Sequence, residues 1–161
     1  MFDIVKTYEK VSPEWVKKYS QFEESASINE CMETNGALSH EFRPVWPGAR
    51  AVGTALTVQA RPGDNLIIHK AITMLTPGDV LVITCGGFQE SGGMFGGIMS
   101  TVSQKRGAQA LIIDGCVRDT MLMQKIGFPV WSRGIDVKRS TKLTGGKINV
   151  PVVIGLSLIH I

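Results

Sequence analysis

The chain contains 161 residues, of which 43% are hydrophobic and 19% are charged, and its formal net charge at pH 7 is +3. This composition is typical of a globular domain and excludes a disordered chain, which would contain fewer apolar residues. The basic residues are scattered, so the charge gives no support to nucleic-acid binding. Three widely separated cysteines do not predict a disulfide framework, and no apolar run approaches membrane-spanning length. We expect one cytoplasmic domain that binds neither nucleic acid nor a membrane.

The first half of the chain predicts two helices followed by alternating strands and helices. Ser12 and Pro13 fit an N-cap and the first position of a helix, and a turn that ends at Asp64 supplies a second N-cap. Alternating apolar and polar residues indicate a strand, whereas apolar residues three or four positions apart indicate a helix. The predicted elements are helices over 13–24 and 27–32, a turn-rich loop over 43–48, a strand over 51–60, a helix over 66–74 and a buried strand over 80–84.

The second half of the chain begins with a glycine-rich segment and then continues the alternation. Met94, Phe95, Ile98, Met99 and Val102 predict one face of a helix after the glycines. The remaining predicted elements are a buried strand over 110–113, a short helix over 121–126 and strands over 128–131 and 148–154. Strands and helices that alternate in this way are typical of an α/β fold, which is the predicted fold class.

The glycine-rich segment over residues 86–97 is the first candidate for a functional site. It contains neither the dinucleotide-binding G-x-G-x-x-G pattern nor a P-loop, which excludes those two phosphate sites. Gly96, Gly97, Ile98 and Met99 lie where a helix is expected to begin, and the N–H groups of a helix N-terminus bind carboxylates or phosphates. The alternative from the residues alone is that the glycines only permit a tight turn.

Arg118 and Asp119 form the second candidate, because they follow a predicted buried strand at the edge where open α/β sheets bind ligands. A carboxylate can bind a hard cation such as Mg²⁺, and a neighbouring guanidinium can stabilise an oxyanion. The alternative makes Asp119 a helix N-cap and Arg118 one half of a surface ion pair. Asp114 is expected to be a turn residue, and His69, among apolar neighbours, a core or interface residue.

Six motifs occur in an order that resembles one known family. They are RPVWPG at 43–48, PGDN at 62–65, PGDVLV at 77–82, MFGG at 94–97, IDGCVRD at 113–119 and GFPVWSR at 127–133. Over about residues 43–155 the chain resembles the family of regulator of ribonuclease E activity A and its aldolase relatives. The two motifs that contain Trp46 and Trp131 resemble those of one branch of this family. That branch includes 4-hydroxy-4-methyl-2-oxoglutarate aldolase and 4-carboxy-4-hydroxy-2-oxoadipate aldolase. The resemblance implies a layered α/β/β/α sandwich of the swivelling phosphohistidine-domain type.

The resemblance also implies an activity and its catalytic residues. The activity is that of a metal-dependent aldolase that also decarboxylates oxaloacetate, and both reactions cleave a small 2-keto acid through a pyruvate enolate. The metal would be Mg²⁺, with Mn²⁺ as the alternative, and Asp119 would be its ligand. Arg118 would bind the enolate oxygen, and Lys142 would lie near the site as a third catalytic residue. The chain would form a homotrimer or a hexamer, with active sites between subunits.

The glycine segment contains the implied substrate site and one departure from the family pattern. Gly96 and Gly97 would form the turn, and the N–H groups of Ile98 and Met99 would hold the pyruvyl carboxylate. Many family members have Asp or Glu at the position of Gly97, and that carboxylate would contact waters around the metal. Its absence puts the metal affinity and the choice of substrate in question.

The family pattern ends after residue 155. We expect residues 1–155 to form a single family domain that is shortened at its C-terminus, and residues 156–161 to be a non-native tail. Loss of the C-terminal segment would expose a sheet edge.

Two alternatives to the lyase stay open. One is a non-catalytic regulator that binds ribonuclease E, and the other is a fragment that has lost its catalytic activity.

Overall fold

The structure is a computed structural model that describes residues 2–33, 35–86, 92–155 and 157–159. The helices of this part are α1 Pro13–Ser20, α2 Ser25–Cys31, α3 Leu66–Met74, α4 Gly97–Lys105 and α5 Thr120–Lys125. Its strands are β1 Asp3–Ile4, β2 Arg43–Pro44, β3 Thr54–Gln59, β4 Asp79–Thr84, β5 Gly93–Phe95, β6 Ala110–Val117, β7 Val130–Ile135, β8 Lys147–Ile148, β9 Val152–Ile154 and β10 Ser157–Ile159. From β3 to β7, longer strands alternate with helices, as the sequence predicts.

One mixed sheet contains eight of these strands in the order β1-β8-β3-β4-β6-β7-β2, with β5 paired to β6. At its centre β3, β4, β6 and β7 lie side by side in parallel and in chain order. The short strands β2 and β8 pair antiparallel with β7 and β3. Because the central strands are parallel, the loops after them share one edge of the sheet, which we call the carboxyl edge.

Helices α3, α4 and α5 connect successive central strands and cover one face of the sheet. Right-handed crossovers between neighbouring parallel strands, taken in chain order, place the connecting helices on the same face. The core between helices and sheet contains fully buried side chains such as Leu56, Ile67, Phe95, Leu111 and Phe128. Burial of each of these side chains stabilises the fold by about 1.5–3 kcal/mol. The packed core therefore fixes the central strands, whose ends form the carboxyl edge.

The opposite face of the sheet packs against the hairpin of β9 and β10 and the segment around Phe42. Val80 and Val82 of the sheet meet Phe42, Val152 and Ile154 in a second core. Helices α1 and α2 contain no buried residue, and a groove of about 1200 Å³ is lined by side chains of these helices and of the sheet. Among the helices of the described residues, none is both long and apolar enough to cross a membrane.

The structure corrects the predicted elements at four places. The helix predicted over 13–24 ends at Ser20. Met94 and Phe95 lie in β5 rather than in a helix, because this segment pairs with β6 before α4 begins. Strand β6 continues past Asp114, which is therefore a buried strand residue and not a turn residue. The strand predicted over 148–154 is divided into β8 and β9 at Asn149, whose φ is +60°.

The predicted α/β class is confirmed by this sheet and its helices. The finer prediction of α/β/β/α layers of the swivelling phosphohistidine-domain type stays a prediction. The domain limits of 1–155 and the non-native tail over 156–161 also stay predictions. Strand β10 lies within that tail and pairs antiparallel with β9, and the hydroxyl of Ser157 donates to the carbonyl of Ala37 at 2.8 Å.

Candidate functional site

Two turns meet at the carboxyl edge of the sheet, one after β5 and one after β6. The two strands pair in parallel, so Gly96 and Gly97 follow one strand while Arg118 and Asp119 follow its neighbour. The N–H of Arg118 donates to the carbonyl of Phe95 at 2.9 Å and joins the turns directly. The structure therefore brings together the two candidate segments that the sequence indicates.

The side chain of Arg118 lies against the backbone of the glycine segment. A Cβ atom placed on Gly93 would lie 3.1 Å from both Cβ and Cδ of Arg118. A Cβ atom on Gly96 would lie 3.2 Å from Cγ and Nε of the same arginine. A Cβ on Gly93 would also lie 2.5 Å from the carbonyl oxygen of Asp136, and one on Gly96 would lie 2.8 Å from Oδ2 of Asp119, so neither position has room for a side chain. Here the glycines permit a close approach of side chain to backbone, a role beyond that of a tight turn.

Asp119 combines an uncommon backbone conformation with a side chain that points across the site. Its φ of +61° and ψ of +36° lie in the left-handed region, which costs a residue with a Cβ about 1–2 kcal/mol. It occupies the N-cap position of α5, as the alternative interpretation predicts, yet its side chain makes no cap hydrogen bond there. Oδ2 instead accepts the N–H of Gly97 at 2.9 Å and lies 3.8 Å from Nε of Arg118. The carboxylate is thus held beside the start of α4.

The N-terminus of α4 presents backbone N–H groups beside this carboxylate. The first N–H groups of a helix have no intrahelical acceptor, and in α4 the N–H of Ser100 is bonded to the carbonyl of Gly96 at 2.9 Å. The N–H of Gly97 already donates to Oδ2 of Asp119. The N–H groups of Ile98 and Met99 are therefore the ones available to an anion.

Asp119 is the side chain in these two turns that can hold a cation. Within the described ranges, no three His, Cys, Asp or Glu side chains lie close enough to hold a metal together. Mg²⁺ does not need such a cage, because it keeps several waters and commonly binds through one or two carboxylates. About half of the Asp119 side chain is exposed, so the donor fits a hydrated cation of this kind.

Lys142, the third predicted catalytic residue, is an exposed residue of the loop after β7. This loop is attached to β5, since the N–H of Gly93 donates to the carbonyl of Lys138 at 2.7 Å. The hydroxyl of Ser140 donates to the carbonyl of Gly93 at 3.2 Å. Burial, together with the charge of Lys142, lowers the pKa of His69 on α3. Among the described residues no hydrogen bond or ion pair joins Lys142 to the two turns, so its catalytic role stays a prediction.

A second polar cluster at the carboxyl edge was not indicated by the sequence. Oδ1 of Asp114 accepts a hydrogen bond from Arg133 at 3.0 Å, and Oε2 of Glu41 accepts another from the same guanidinium at 2.9 Å. A cavity of about 330 Å³ opens beside this pair. Burial, with the nearby Asp114 and Cys116, raises the pKa of Cys85 to about 12, so this thiol is not a nucleophile at neutral pH.

Comparisons with known proteins match both the sequence and the fold. A family model described as RraA-like, Aldolase/RraA, matches residues 25–160. A relative from Halalkalibacterium halodurans, provisionally named 4-hydroxy-4-methyl-2-oxoglutarate aldolase, is 31% identical over 128 residues, which are 80% of this chain and 60% of that protein. The RNA-processing inhibitor RraA from Thermus thermophilis gives a TM-score of 0.77 at 21% identity, covering 86% of this chain and 84% of that one. Streptomyces coelicolor RraAS2, described as an unusual member of the RNase ES inhibitor RraA protein family, gives 0.80 at 20% identity, covering 96% and 80%.

Proposed function

The chain belongs to the RraA-like family, Aldolase/RraA, and from this premise we propose that it is a divalent-metal-dependent carbon–carbon lyase of small 2-keto acids. The reactions are retro-aldol cleavage of substrates of the 4-hydroxy-4-methyl-2-oxoglutarate type and decarboxylation of oxaloacetate. Both produce the enolate of pyruvate, so one site can serve both. The chain spans 60% of the length of the Halalkalibacterium relative, and the proposal concerns the site that this chain contains.

One observation carries the proposal, namely the convergence of a guanidinium, a carboxylate and a helix N-terminus at one edge of the sheet. The N–H groups of Ile98 and Met99 would bind the carboxylate that every 2-keto acid has. Arg118 would then face the 2-keto oxygen. When the carbon–carbon bond breaks, its electron pair moves toward this oxygen and forms the enolate. Oxaloacetate loses CO₂ in this step, whereas the aldol substrate loses a second carbonyl compound, whose hydroxyl proton passes to water. Stabilisation of such a developing oxyanion is often the largest catalytic contribution.

Asp119 would hold the cation, Mg²⁺ or in its place Mn²⁺, which would add positive charge at the same oxygen. The N–H of Gly97 fixes the direction of this carboxylate through a 2.9 Å hydrogen bond. Gly97 itself contributes no second carboxylate, so water would supply most of the cation's ligands. Lys142, as an ammonium, would return a proton to the carbon that carries the enolate charge.

We also propose that the chain forms a homotrimer or a hexamer. Support comes from four apolar side chains near the carboxyl edge, Ile98, Met121, Val137 and Leu143, which are 81%, 84%, 86% and 82% exposed. Each belongs to a segment that follows β5, β6 or β7, and large exposed apolar side chains that adjoin one another at one edge of a sheet are typical of interfaces. The molar mass in solution, measured by light scattering after size-exclusion chromatography, tests the proposal. A monomer at micromolar concentration would contradict it.

A non-catalytic regulator that binds ribonuclease E is the second candidate function. It is considered because the chain shares its fold with two RraA proteins, at TM-scores of 0.77 and 0.80. At identities of 21% and 20% this likeness supports the shared fold alone. The fold is common to both candidates, so only activity and binding separate them.

The deciding experiment measures pyruvate release from oxaloacetate, with Mg²⁺ and with an excess of chelator. Arg118→Met keeps an apolar stem against the glycines but removes the guanidinium, and we expect a rate lower by about 10²-fold or more. Arg106→Met, at the other end of α4, is the matched control and should leave the rate unchanged. A folded oligomer that binds ribonuclease E in a pull-down but releases no pyruvate would favour the regulator instead.

A further inference from the structure

The loop that contains Lys142 is fastened on both sides of that residue. Just before it, the hydroxyl of Thr141 donates to Oδ2 of Asp64 at 2.8 Å. Just after it, the N–H groups of Leu143 and Thr144 donate to the same oxygen at 2.6 and 3.2 Å. Lys142 therefore lies at the apex of a turn that wraps around one carboxylate oxygen, while its own side chain is exposed.

Asp64 is suited to organise this turn because it is a buried, hydrogen-bonded carboxylate. It is 4% exposed, and its other oxygen accepts the N–H of Leu66 in α3 at 3.1 Å. Burial would raise the pKa of Asp64, but the hydrogen bonds, that from Leu143 first, outweigh burial and lower it. The sequence predicts Asp64 as the N-cap of α3, whereas the N-cap position belongs to Asn65. The carboxylate of Asp64 therefore accepts hydrogen bonds from both helix α3 and the loop that contains Lys142.

Asn65 extends this attachment to the glycine segment. Its backbone N–H donates to the carbonyl of Thr141 at 3.0 Å, and its side-chain amide donates to the carbonyl of Met94 at 2.9 Å. Met94 lies on β5, just before Gly96. Asn65 is 5% exposed, and its Oδ1 finds no hydrogen-bond partner in the part of the chain that the structure describes. A buried oxygen without a partner is unfavourable for stability alone.

We propose that Asp64 and Asn65 are positioning residues, which hold the turn of Lys142 at a fixed place relative to the glycine segment. Asp64 closes the turn, and Asn65 joins it to the strand that leads to Gly96. The catalytic part of this inference rests on the proposed function, whereas the attachment itself does not. Displacement of a reacting group by about 1 Å lowers a rate by up to about 10²-fold, so loosening this turn should affect kcat.

The test is a double-mutant cycle of Asp64→Asn and Lys142→Met. Asn keeps the size of Asp but replaces one acceptor oxygen by an NH₂ group, which cannot accept the N–H groups of the turn. We expect kcat for pyruvate release to fall about 10-fold to 10²-fold in Asp64→Asn, with little change in KM. In the Lys142→Met background, Asp64→Asn should lower kcat by less than about a further twofold, because the side chain that Asp64 positions has already been removed. A purely structural role would give effects that multiply.

Asp79→Asn is the matched control for the loss of a buried carboxylate. Asp79 is 1% exposed and accepts hydrogen bonds from the N–H and the hydroxyl of Thr76 at 2.8 and 3.1 Å. It begins β4 at the edge opposite the site, so the variant should unfold at a lower temperature with kcat unchanged. If Asp64→Asn does not fold, Thr141→Val removes one donor to Asp64 at an exposed position and takes its place in the cycle.

Hydrogen exchange separates this inference from the proposed function. The amide protons of Leu143 and Thr144 should be protected in the wild-type chain and should exchange faster in Asp64→Asn, whether or not pyruvate is released. A wild-type chain without lyase activity would reject the proposed function, and faster exchange in the variant would still support the attachment. Unchanged exchange at both amides, an unchanged kcat in an active variant, or effects that multiply in the cycle would overturn the inference.

Discussion

The bare Cα of Gly97 provides a test of whether a cation binds beside Asp119. Gly97→Asp places a second carboxylate next to the first, and Gly97→Asn provides a similar shape without the charge. A Cβ on Gly97 would lie 3.3 Å from Cβ of Asp119 and 2.5 Å from Cδ2 of Leu122. The leucine methyl must move, but it ends a flexible side chain that is 39% exposed. Both variants require this movement equally, so its effect cancels when they are compared.

Without a cation the two carboxylates repel each other. Two unit charges 4 Å apart interact by about 1 kcal/mol in water and about 4 kcal/mol at an effective dielectric constant of about 20. The side chain of Asp119 is 51% exposed, so solvent screening keeps the penalty near the lower value. A carboxylate in the first turn of α4 gains about 0.3–1 kcal/mol from the helix dipole. The metal-free Asp variant should therefore be at most about 1 kcal/mol less stable than the Asn variant.

Mg²⁺ should reverse this order. If the second carboxylate tightens binding about tenfold, saturating Mg²⁺ stabilises the Asp variant by about 1.4 kcal/mol more than the Asn variant. For a chain of this size the difference corresponds to about 3–6 °C in Tm. The assay is thermal unfolding of both variants at increasing Mg²⁺, with chelator as the reference. Equal Mg²⁺-dependent shifts in the two variants would refute the placement of a cation at Asp119.

Three further predictions concern the carboxyl edge, His69 and the core. Asp119→Asn keeps an acceptor oxygen and tolerates the left-handed backbone, so thermal unfolding should change little while pyruvate release falls about 10²–10³-fold; an unchanged rate would exclude it as the ligand. Because burial and the charge of Lys142 lower the pKa of His69, Lys142→Met should raise that pKa in an NMR titration. Neutral His69 contributes stability above its unfolded pKa of about 6.5, and this contribution is lost as the pH falls through the lowered folded pKa. The free energy of urea unfolding should therefore decrease over this pH range in the wild type but not in His69→Gln. Leu111→Ala should cost about 2–5 kcal/mol in urea unfolding, because Leu111 is fully buried in the core.

Helices and strands with a clear apolar pattern in their own residues are predictable from the sequence. The buried strand over 80–84 and the helix over 66–74 match β4 and α3 closely. The sequence predicts Met94 and Phe95 on a helix face, although a short apolar run suits a helix face and a buried strand equally well. Their pairing with β6 decides the outcome, and no local window of sequence contains that partner.

The meeting of the glycine turn with Arg118 was predictable, because loops after parallel strands share one edge of the sheet. The bond from Leu143 to Asp64 spans 79 positions, and that from Arg133 to Asp114 spans 19. Neither bond has a local signature in the sequence, since a buried aspartate that joins two segments resembles any turn aspartate. Such contacts depend on the folded arrangement of the whole sheet.

The backbone of Asp119 links the geometry of this site to its proposed use. Glycine would adopt a φ of +61° without the penalty of about 1–2 kcal/mol that a Cβ brings. The hydrogen bond from the N–H of Gly97 contributes about 0.5–1.5 kcal/mol, which roughly offsets this strain, and an asparagine would accept only a weaker, uncharged form of it. What distinguishes aspartate is its negative charge, held half-exposed between Arg118 and the N-terminus of α4. Arg118 and the N-terminus of α4 both stabilise this negative charge, and under the proposed function the same carboxylate would also hold the cation that stabilises the enolate.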